Sequence, residues 1–201
     1  MAYVHEVFNP ATLADAKNIV LSDDPNNPNK FITETNQLVN VLLDTWLIVE
    51  NTLVLDFGCG MGRISKQLVD RANCSIIGLD QSEVMLSYAV HYVNNSKFTA
   101  VQQYNEIDSI DIALSILVLQ HVEHPLEAIQ NIYNVIKPGG YFILVNEPFR
   151  LVPSDLTDDG WIVWNDDKVD IYSLVASKFV EVARSDKAGA LHVILFRKDE
   201  E

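Results

Sequence analysis

Residues 52–65, Thr-Leu-Val-Leu-Asp-Phe-Gly-Cys-Gly-Met-Gly-Arg-Ile-Ser, constrain the fold of this chain more than any other stretch. Their first half is a short apolar run that ends at glycine, which is typical of a buried strand. Glycines follow at positions 58, 60 and 62, where they turn the chain without strain and let a ligand approach the backbone. Residues 63–69 then have apolar side chains at helical spacing. The sequence therefore predicts the strand, glycine turn and helix that hold nucleotide cofactors in doubly wound α/β folds.

Two charged residues distinguish this turn from a dinucleotide-binding turn. The dinucleotide fingerprint Gly-x-Gly-x-x-Gly needs a third glycine where this chain has Arg63, and Asp56 lies inside the strand. A carboxylate beside the turn would repel a pyrophosphate but suits a cationic ligand. The pattern Asp-x-Gly-x-Gly-x-Gly resembles motif I of the class I S-adenosylmethionine-dependent methyltransferases. This resemblance implies S-adenosyl-L-methionine as the cofactor, which carries an ammonium and a sulfonium but no phosphate, and S-adenosyl-L-homocysteine as the product.

A second apolar run, residues 74–80, ends in Asp80. In nucleotide-binding α/β folds an acid at this point accepts hydrogen bonds from ribose hydroxyls, and the resemblance gives Asp80 the same role. The alternative role is to cap the next helix, for which Ser82 is better placed. The third predicted strand, residues 98–101, lacks the acid that usually follows it in the family. An amide at Gln102 or Gln103 offers both a donor and an acceptor to the adenine edge instead.

The resemblance implies cofactor contacts from the glycine turn and from the ends of several strands. The implied residues are Asp56, Phe57, Gly58, Cys59, Gly60, Gly62, Arg63, Asp80, Gln81, Gln103, Ser115 and Leu117. We interpret Cys59 as a small side chain packed under the turn rather than as a nucleophile, because the sequence fixes no base beside it.

The remaining pattern completes a Rossmann-like fold. A fourth strand is predicted at residues 110–115 and a fifth at 141–147, after a helix that Pro125 opens and a Lys-Pro-Gly-Gly turn closes. Residues 179–184 and 191–197 are joined by a connection too short for a helical crossover, so we expect them to pair antiparallel. We predict a doubly wound open sheet of seven strands, mostly parallel with a C-terminal antiparallel hairpin, and helices on both faces. Residues 1–201 are expected to form a single domain whose cofactor-binding core is 51–201.

Two segments are predicted to cover the methyl acceptor, because transfer requires water to be excluded. The first is residues 1–50, with Asn9-Pro10 opening a helix over 11–21, a loop at 22–29 and a second helix over 31–49. The second is the long connection 147–167. Their aromatic residues are suited to an apolar acceptor wall, although packing explains each one singly: Tyr3, Phe8, Phe149, Trp161 and Trp164.

Two residues near predicted strand ends are candidates for catalysis. His121 has an ordinary pKa suited to a general base near neutral pH; the alternative is that it only shapes the cofactor pocket. Glu147 either orients the acceptor or simply ends a strand in solvent. The pair His121 and His124 is too sparse for a metal site, and no metal is predicted.

Composition and net charge limit the classes of function that this chain can have. The chain has 201 residues, a hydrophobic content of 48% and a net charge of −14. Such charge argues against nucleic acid or an anionic membrane as a partner and leaves a small-molecule acceptor. The two cysteines have no disulfide-framework spacing, which predicts a cytoplasmic location. Two alternatives stay open: an S-adenosylmethionine-binding relative without activity, and a nucleotide-dependent oxidoreductase, against which Asp56, Arg63 and the terminal hairpin argue.

Overall fold

A computed structural model describes residues 8–21, 24–147, 150–152, 169–188 and 191–200. The helices are α1 (Leu13–Val20), α2 (Lys30–Leu43), α3 (Arg63–Ala72), α4 (Glu83–Val93), α5 (Pro125–Val135) and α6 (Ile171–Ala176). The strands are β1 (Leu53–Phe57), β2 (Ser75–Leu79), β3 (Phe98–Val101), β4 (Ile110–Ile116), β5 (Ile136–Asn146), β6 (Leu151–Val152), β7 (Val169–Asp170), β8 (Val180–Ala188) and β9 (Leu191–Arg197).

Seven strands form one sheet in the order β3-β2-β1-β4-β5-β9-β8, and β6 pairs with β7 separately. The pairs β1–β2, β2–β3 and β4–β5 are parallel, whereas β5–β9 and β8–β9 are antiparallel. The predicted fold class is therefore confirmed, including the terminal hairpin. The chain packs as two compact units, the N-terminal unit (Phe8–Glu106) and the C-terminal unit (Ile107–Glu201), which are described separately.

The core of the N-terminal unit is the parallel sheet β1–β2–β3 and the helices against it. Val54 and Leu55 of β1 and Ile76 of β2 are fully or almost fully buried, as expected for strands covered on both faces. Helix α3 packs on β2, and α4 packs on β2 and β3. The apolar spacing predicted for α3 places Ile64 and Leu68 in this core.

Helix α1 begins three residues later than Asn9-Pro10 predicted. Thr12 is its N-cap: the Thr12 hydroxyl accepts from the Asp15 N–H at 3.1 Å, and the Asp15 carboxylate accepts from the Thr12 N–H at 2.9 Å. This reciprocal capping box satisfies two otherwise unpaired backbone donors, which is why the helix starts there. Asn9 instead accepts a hydrogen bond from the Ser82 hydroxyl at 2.6 Å.

Helix α2 ends at Leu43, short of the predicted boundary at residue 49. The Thr45 hydroxyl donates to the Leu42 carbonyl at 2.7 Å, and the Trp46 N–H donates to the Leu43 carbonyl at 3.0 Å. Trp46 then adopts a left-handed φ of 59°, which reverses the chain. A side-chain bond to a terminal carbonyl competes with continuation of the helix.

In the C-terminal unit, β5 begins at Ile136, so the Lys-Pro-Gly-Gly segment lies within the strand rather than before it. Ile136 pairs with Ile110 of β4, and the next residues pair with the end of the chain. The Gly139 N–H donates to the Asp199 carbonyl at 3.1 Å, and the Lys198 N–H donates to the Gly140 carbonyl at 2.9 Å. Farther along, β5 pairs with β9 in continuous register.

Candidate active site

The glycine turn leaves β1 through three left-handed residues. Gly58, Gly60 and Gly62 have φ of 70°, 51° and 79°, a region that other residues enter only with strain. The N–H groups of Gly58 and Cys59 donate to the Leu79 carbonyl at 2.8 and 3.1 Å, which fixes the turn to the end of β2. The turn predicted from the glycine spacing is therefore confirmed as a backbone conformation.

Side chains from two helices crowd this turn. A Cβ on Gly62 would lie 2.7 Å from Cγ2 of Val93 in α4, and a Cβ on Gly60 would lie 2.9 Å from Cγ1 of Val20 in α1. Met61, between the two glycines, is fully buried in a cluster that includes Ala16 of α1. Helix α1 thus packs against the glycine turn.

Asp80 lies at the end of β2 with its carboxylate against the turn. One oxygen accepts from the Gly60 N–H at 2.9 Å and the other from the Ser82 N–H at 2.9 Å. Burial raises the pKa of Asp80 above its ordinary value, while these N–H donors oppose the shift. The capping of α4 is done by Ser82, whose hydroxyl accepts from the Met85 N–H at 3.2 Å. Because each carboxylate oxygen has a second lone pair, Asp80 retains acceptors for a ribose diol.

The side chains of Asp56 and Arg63 are both buried within the N-terminal unit. Asp56 is 3% exposed and accepts from the Ser65 hydroxyl at 2.6 Å. Arg63 is also buried; it donates to the Thr35 hydroxyl at 3.0 Å and lies 5.9 Å from the centre of the Phe31 ring. Burial raises the pKa of Asp56 to about 6 even though Arg63 lowers it. Arg63 therefore ties the turn to α2, a contact that its position beside the glycines does not reveal.

Cys59 is buried, and its pKa is raised well above the ordinary value by burial and by the charges of Asp56 and Asp80. A thiol of this kind stays protonated and is a poor nucleophile. This supports the interpretation of Cys59 as a packing residue.

The turn after β3 contains features that the sequence analysis missed. Glu106 accepts from the backbone N–H groups of Gln102 and Gln103 at 3.3 and 3.1 Å, so the acid that follows this strand holds the turn. The side-chain amide of Gln102 donates to the Gln81 carbonyl at 2.9 Å. Tyr104 stacks on Phe57 with ring centres 6.1 Å apart, and nothing in the local pattern pairs these two rings.

In the C-terminal unit, the carboxyl end of β4 is strained and buried. Ser115 has no exposed surface, and its hydroxyl has no hydrogen-bond partner among the described residues. Leu117 adopts a left-handed φ of 58° while its N–H donates to the Val145 carbonyl at 2.9 Å. Left-handed conformations of non-glycine residues cluster at functional sites, so this outlier supports a role for the segment.

The two residues predicted for catalysis also lie in the C-terminal unit. His121 is partly buried, and burial together with the charge of Arg150 lowers its pKa to about 4. It is therefore neutral at physiological pH and a weak base. Glu147 follows β5 directly and forms an ion pair with Arg150. Beside it, the buried Asn146 amide donates to Gln120 at 3.1 Å.

Several predicted residues lie outside the described part of the chain: Tyr3, Phe149, Trp161 and Trp164. In the ranges that are described, no group of three or more His, Cys, Asp or Glu side chains is arranged to hold a metal ion. None of the helices in those ranges is long and apolar enough to cross a membrane.

The opposite pKa shifts of Asp56 and His121 give a pH prediction. The raised pKa of Asp56 stabilises the fold below pH 3.8, and this stabilisation is lost as the pH rises through about 6. The lowered pKa of His121 has the opposite effect: its stabilisation is present above pH 6.5 and is lost as the pH falls through about 4. Each shift corresponds to about 3 kcal/mol, so the two slopes offset each other in the wild type. Relative to wild type, the free energy of unfolding of His121→Asn should fall by about 3 kcal/mol between pH 4 and 6.5.

For Asp56→Asn we expect the opposite slope over the same range, again relative to wild type. Urea titrations at several pH values measure both differences. A difference from wild type that stays constant with pH in both variants would contradict the two assigned shifts.

The geometry of the glycine turn and of the sheet is typical of one class of protein. A strand, a left-handed glycine turn and a helix, with an acid on the neighbouring strand and a sheet ending in an antiparallel hairpin, define a nucleotide-type cofactor site on a Rossmann-like sheet. Residues 55–144 match a family model described as "Methyltransferase domain". Over these residues, which are fewer than half of the chain, the sequence is similar to methyltransferase domains.

Individual proteins are similar to parts of this chain. A sterol 24-C-methyltransferase of Debaryomyces hansenii is 32% identical over 121 residues, which cover 56% of this chain and 31% of the relative. The chain thus spans about a third of the length of that curated relative. Among solved structures, the magnesium protoporphyrin IX methyltransferase of Synechocystis, with bound SAM, superposes with a TM-score of 0.66 at 17% identity, covering 96% of this chain and 94% of that one. The cyclase SpnF superposes with a TM-score of 0.67 at 15% identity, covering 83% and 82%.

Proposed function

We propose that this chain binds S-adenosyl-L-methionine at the glycine turn of the N-terminal unit and transfers the cofactor's methyl group to a small organic acceptor. The observation that carries the proposal is the Asp80 carboxylate, fixed against the Gly60 N–H at the end of β2. The bound cofactor supplies a methyl group already activated on a sulfonium. The protein's tasks are therefore to bind, to orient and to exclude water.

Residues of the N-terminal unit would share these tasks. Asp80 would accept hydrogen bonds from the ribose hydroxyls, and Gly58, Gly60 and Gly62 are proposed to contact the cofactor through their backbone. Gln81 and Gln103 are proposed to contact the adenine, near the stacked rings of Phe57 and Tyr104. Asp56 and Arg63 would act indirectly, by holding the turn to α3 and α2.

The C-terminal unit is proposed to contribute to transfer through the ends of β4 and β5. Ser115 and Leu117 are proposed cofactor contacts. His121, with a pKa near 4, would hold a neutral imidazole that orients the acceptor rather than a strong base that deprotonates it. Glu147 would orient the acceptor. An acceptor that needs no strong base suits this set best.

A turnover assay tests the proposal. Purified protein is incubated with methyl-labelled S-adenosylmethionine and a mixture of small metabolites, and label is followed into small molecules, protein and nucleic acid. We expect label in small molecules only, and much less of it with Asp80→Ala when the S-adenosylmethionine concentration is below saturation. Label in nucleic acid would overturn the predicted acceptor class, which the net charge of −14 supports.

A second candidate function is cofactor binding without methyl transfer. It is favoured by the absence of an acid directly after β3 and by the likeness of the fold to that of the cyclase SpnF, since one fold hosts several activities. Binding of S-adenosylhomocysteine without any turnover in the same assay would favour this candidate.

We also propose a cytoplasmic location, which the buried free thiols of Cys59 and Cys74 support.

A further inference from the structure

A cleft of about 120 Å³ opens at the carboxyl end of β5, wholly within the C-terminal unit. Its lining includes the apolar residues Leu144 and Ile194, while Arg150, Arg184 and His192 contribute polar groups. An apolar cavity of roughly 150 Å³ can hold benzene, so this cleft has the size for a small ring or a short aliphatic group. Ligands of open α/β sheets bind outside the carboxyl ends of the strands, which is where this cleft lies.

The charge of the cleft differs from that of the whole chain. The chain has 28 acidic and 14 basic residues, yet the cleft is lined by two arginines and one acid, Glu147. Since Arg150 pairs with Glu147 and Arg184 with Glu181, these four groups sum to zero charge. An anionic ligand would therefore be held by the guanidinium N–H groups that these pairs leave over, rather than by a net positive charge.

Both arginines are held in place before any ligand arrives. Arg150 pairs with Glu147. Arg184 donates from Nε and Nη2 to the Glu181 carboxylate at 3.0 and 2.8 Å, and it lies 4.9 Å from the centre of the Tyr172 ring. A guanidinium carries more N–H donors than these contacts use, and a fixed orientation lowers the entropy lost on binding.

We propose that this cleft is a subsite for the carboxylate end of an organic acid with a small apolar body. The Arg150 and Arg184 guanidinium groups bind the carboxylate oxygens, and the apolar lining residues contact the hydrocarbon. Planar guanidinium groups match a carboxylate in a bidentate manner, which a lysine cannot reproduce. The inference rests on the proposed function in so far as this acid is the methyl acceptor, but binding at the cleft is measurable without turnover.

Benzoate is the probe, because it combines a carboxylate with a small apolar ring. Calorimetry on the full chain should show saturable binding of one benzoate, with Kd on the order of 1 mM for so small a ligand. Arg150→Gln and Arg184→Gln should each weaken it at least about tenfold, because a charge-assisted hydrogen bond is lost. Arg184→Lys keeps the charge but not the planar fork, so it should also weaken binding.

Arg71→Gln is the matched control, since it removes the same charge from an exposed arginine of α3 that donates to Asn40. It should bind benzoate as wild type does. Benzyl alcohol, which lacks the charge, should not bind measurably. Tighter binding of inorganic phosphate than of benzoate would overturn the assignment of a carboxylate.

The same samples are titrated with S-adenosylhomocysteine, so that the two proposals fail separately. Benzoate binding that is absent, or equal in wild type and in the Arg150 and Arg184 variants, overturns the subsite even when S-adenosylhomocysteine binds. Benzoate binding that depends on both arginines, with no response to S-adenosylhomocysteine, retains the subsite and overturns the proposed function instead.

Discussion

Asp80→Ala is expected to weaken the binding of S-adenosylhomocysteine at least about tenfold. The proposed ribose contact consists of hydrogen bonds to an ionised carboxylate, each worth roughly 1.5–3 kcal/mol. The substitution also removes the acceptor of the Gly60 N–H, so the glycine turn loses a fixed point. Calorimetry gives the dissociation constant, and circular dichroism below the melting temperature verifies the fold.

Ser82→Ala is the control for this variant. It removes the side-chain cap of α4 and the bond to Asn9, at a cost of about 1 kcal/mol of stability. It keeps the Ser82 N–H that donates to Asp80, so the carboxylate stays in place. Cofactor binding should therefore be close to wild type. If Ser82→Ala weakens binding as much as Asp80→Ala does, Asp80 acts through the start of α4 rather than on the ribose.

Gly62→Ala should lower the free energy of unfolding by about 3 kcal/mol. Its φ of 79° costs an alanine about 1 kcal/mol, and the new Cβ would lie 2.7 Å from Cγ2 of Val93 and 3.3 Å from Cβ of Ala89. Forcing a methyl into a packed site typically costs a further 1–3 kcal/mol, roughly. Urea unfolding at fixed pH measures the change.

The variant Gly139→Ala is the control that distinguishes backbone strain from steric crowding in Gly62→Ala. Gly139 has a similar φ of 72°, but its nearest neighbours would be 3.5 Å from a Cβ, at ordinary contact distance. This variant should lose only about 1 kcal/mol. Adding Val93→Ala to Gly62→Ala should recover part of the crowding cost, which a double-mutant cycle detects. Equal losses for Gly62→Ala and Gly139→Ala, with no coupling to Val93, would show that the turn is not crowded by α4.

The parts of the fold that the sequence predicted are those with strong local signals. The run before Gly58 and the glycine spacing predicted β1 and the turn, and a connection too short for a helix predicted the β8–β9 hairpin. Ser82 predicted the start of α4 because a capping hydroxyl is a local feature.

The boundaries that were wrong depend on competing or distant partners. Asn9-Pro10 and Thr12 both offer a helix start, and the reciprocal bond of Thr12 with Asp15 decides between them. The early start of β5 depends on Ile110, Lys198 and Asp199, which lie far from it along the chain. The short pair β6–β7 has only two residues in each strand and therefore no periodicity to read.

In the candidate site, too, the sequence predicted local features and missed contacts between distant residues. Asp80 was predicted from its place after a strand, and the structure puts its carboxylate on the glycine turn. The contact of Arg63 with Thr35 joins residues 28 positions apart, so the sequence did not reveal it. The lowered pKa of His121 also depends on burial and on Arg150, which come from tertiary structure alone.

The central claim is that the glycine turn of the N-terminal unit binds S-adenosylmethionine. Calorimetric titration of the wild-type chain with S-adenosylhomocysteine, and separately with NAD⁺, tests it most directly. The account predicts one saturable site for S-adenosylhomocysteine that Asp80→Ala weakens, and no heat of binding for NAD⁺. Saturable binding of NAD⁺ with no response to S-adenosylhomocysteine would contradict it.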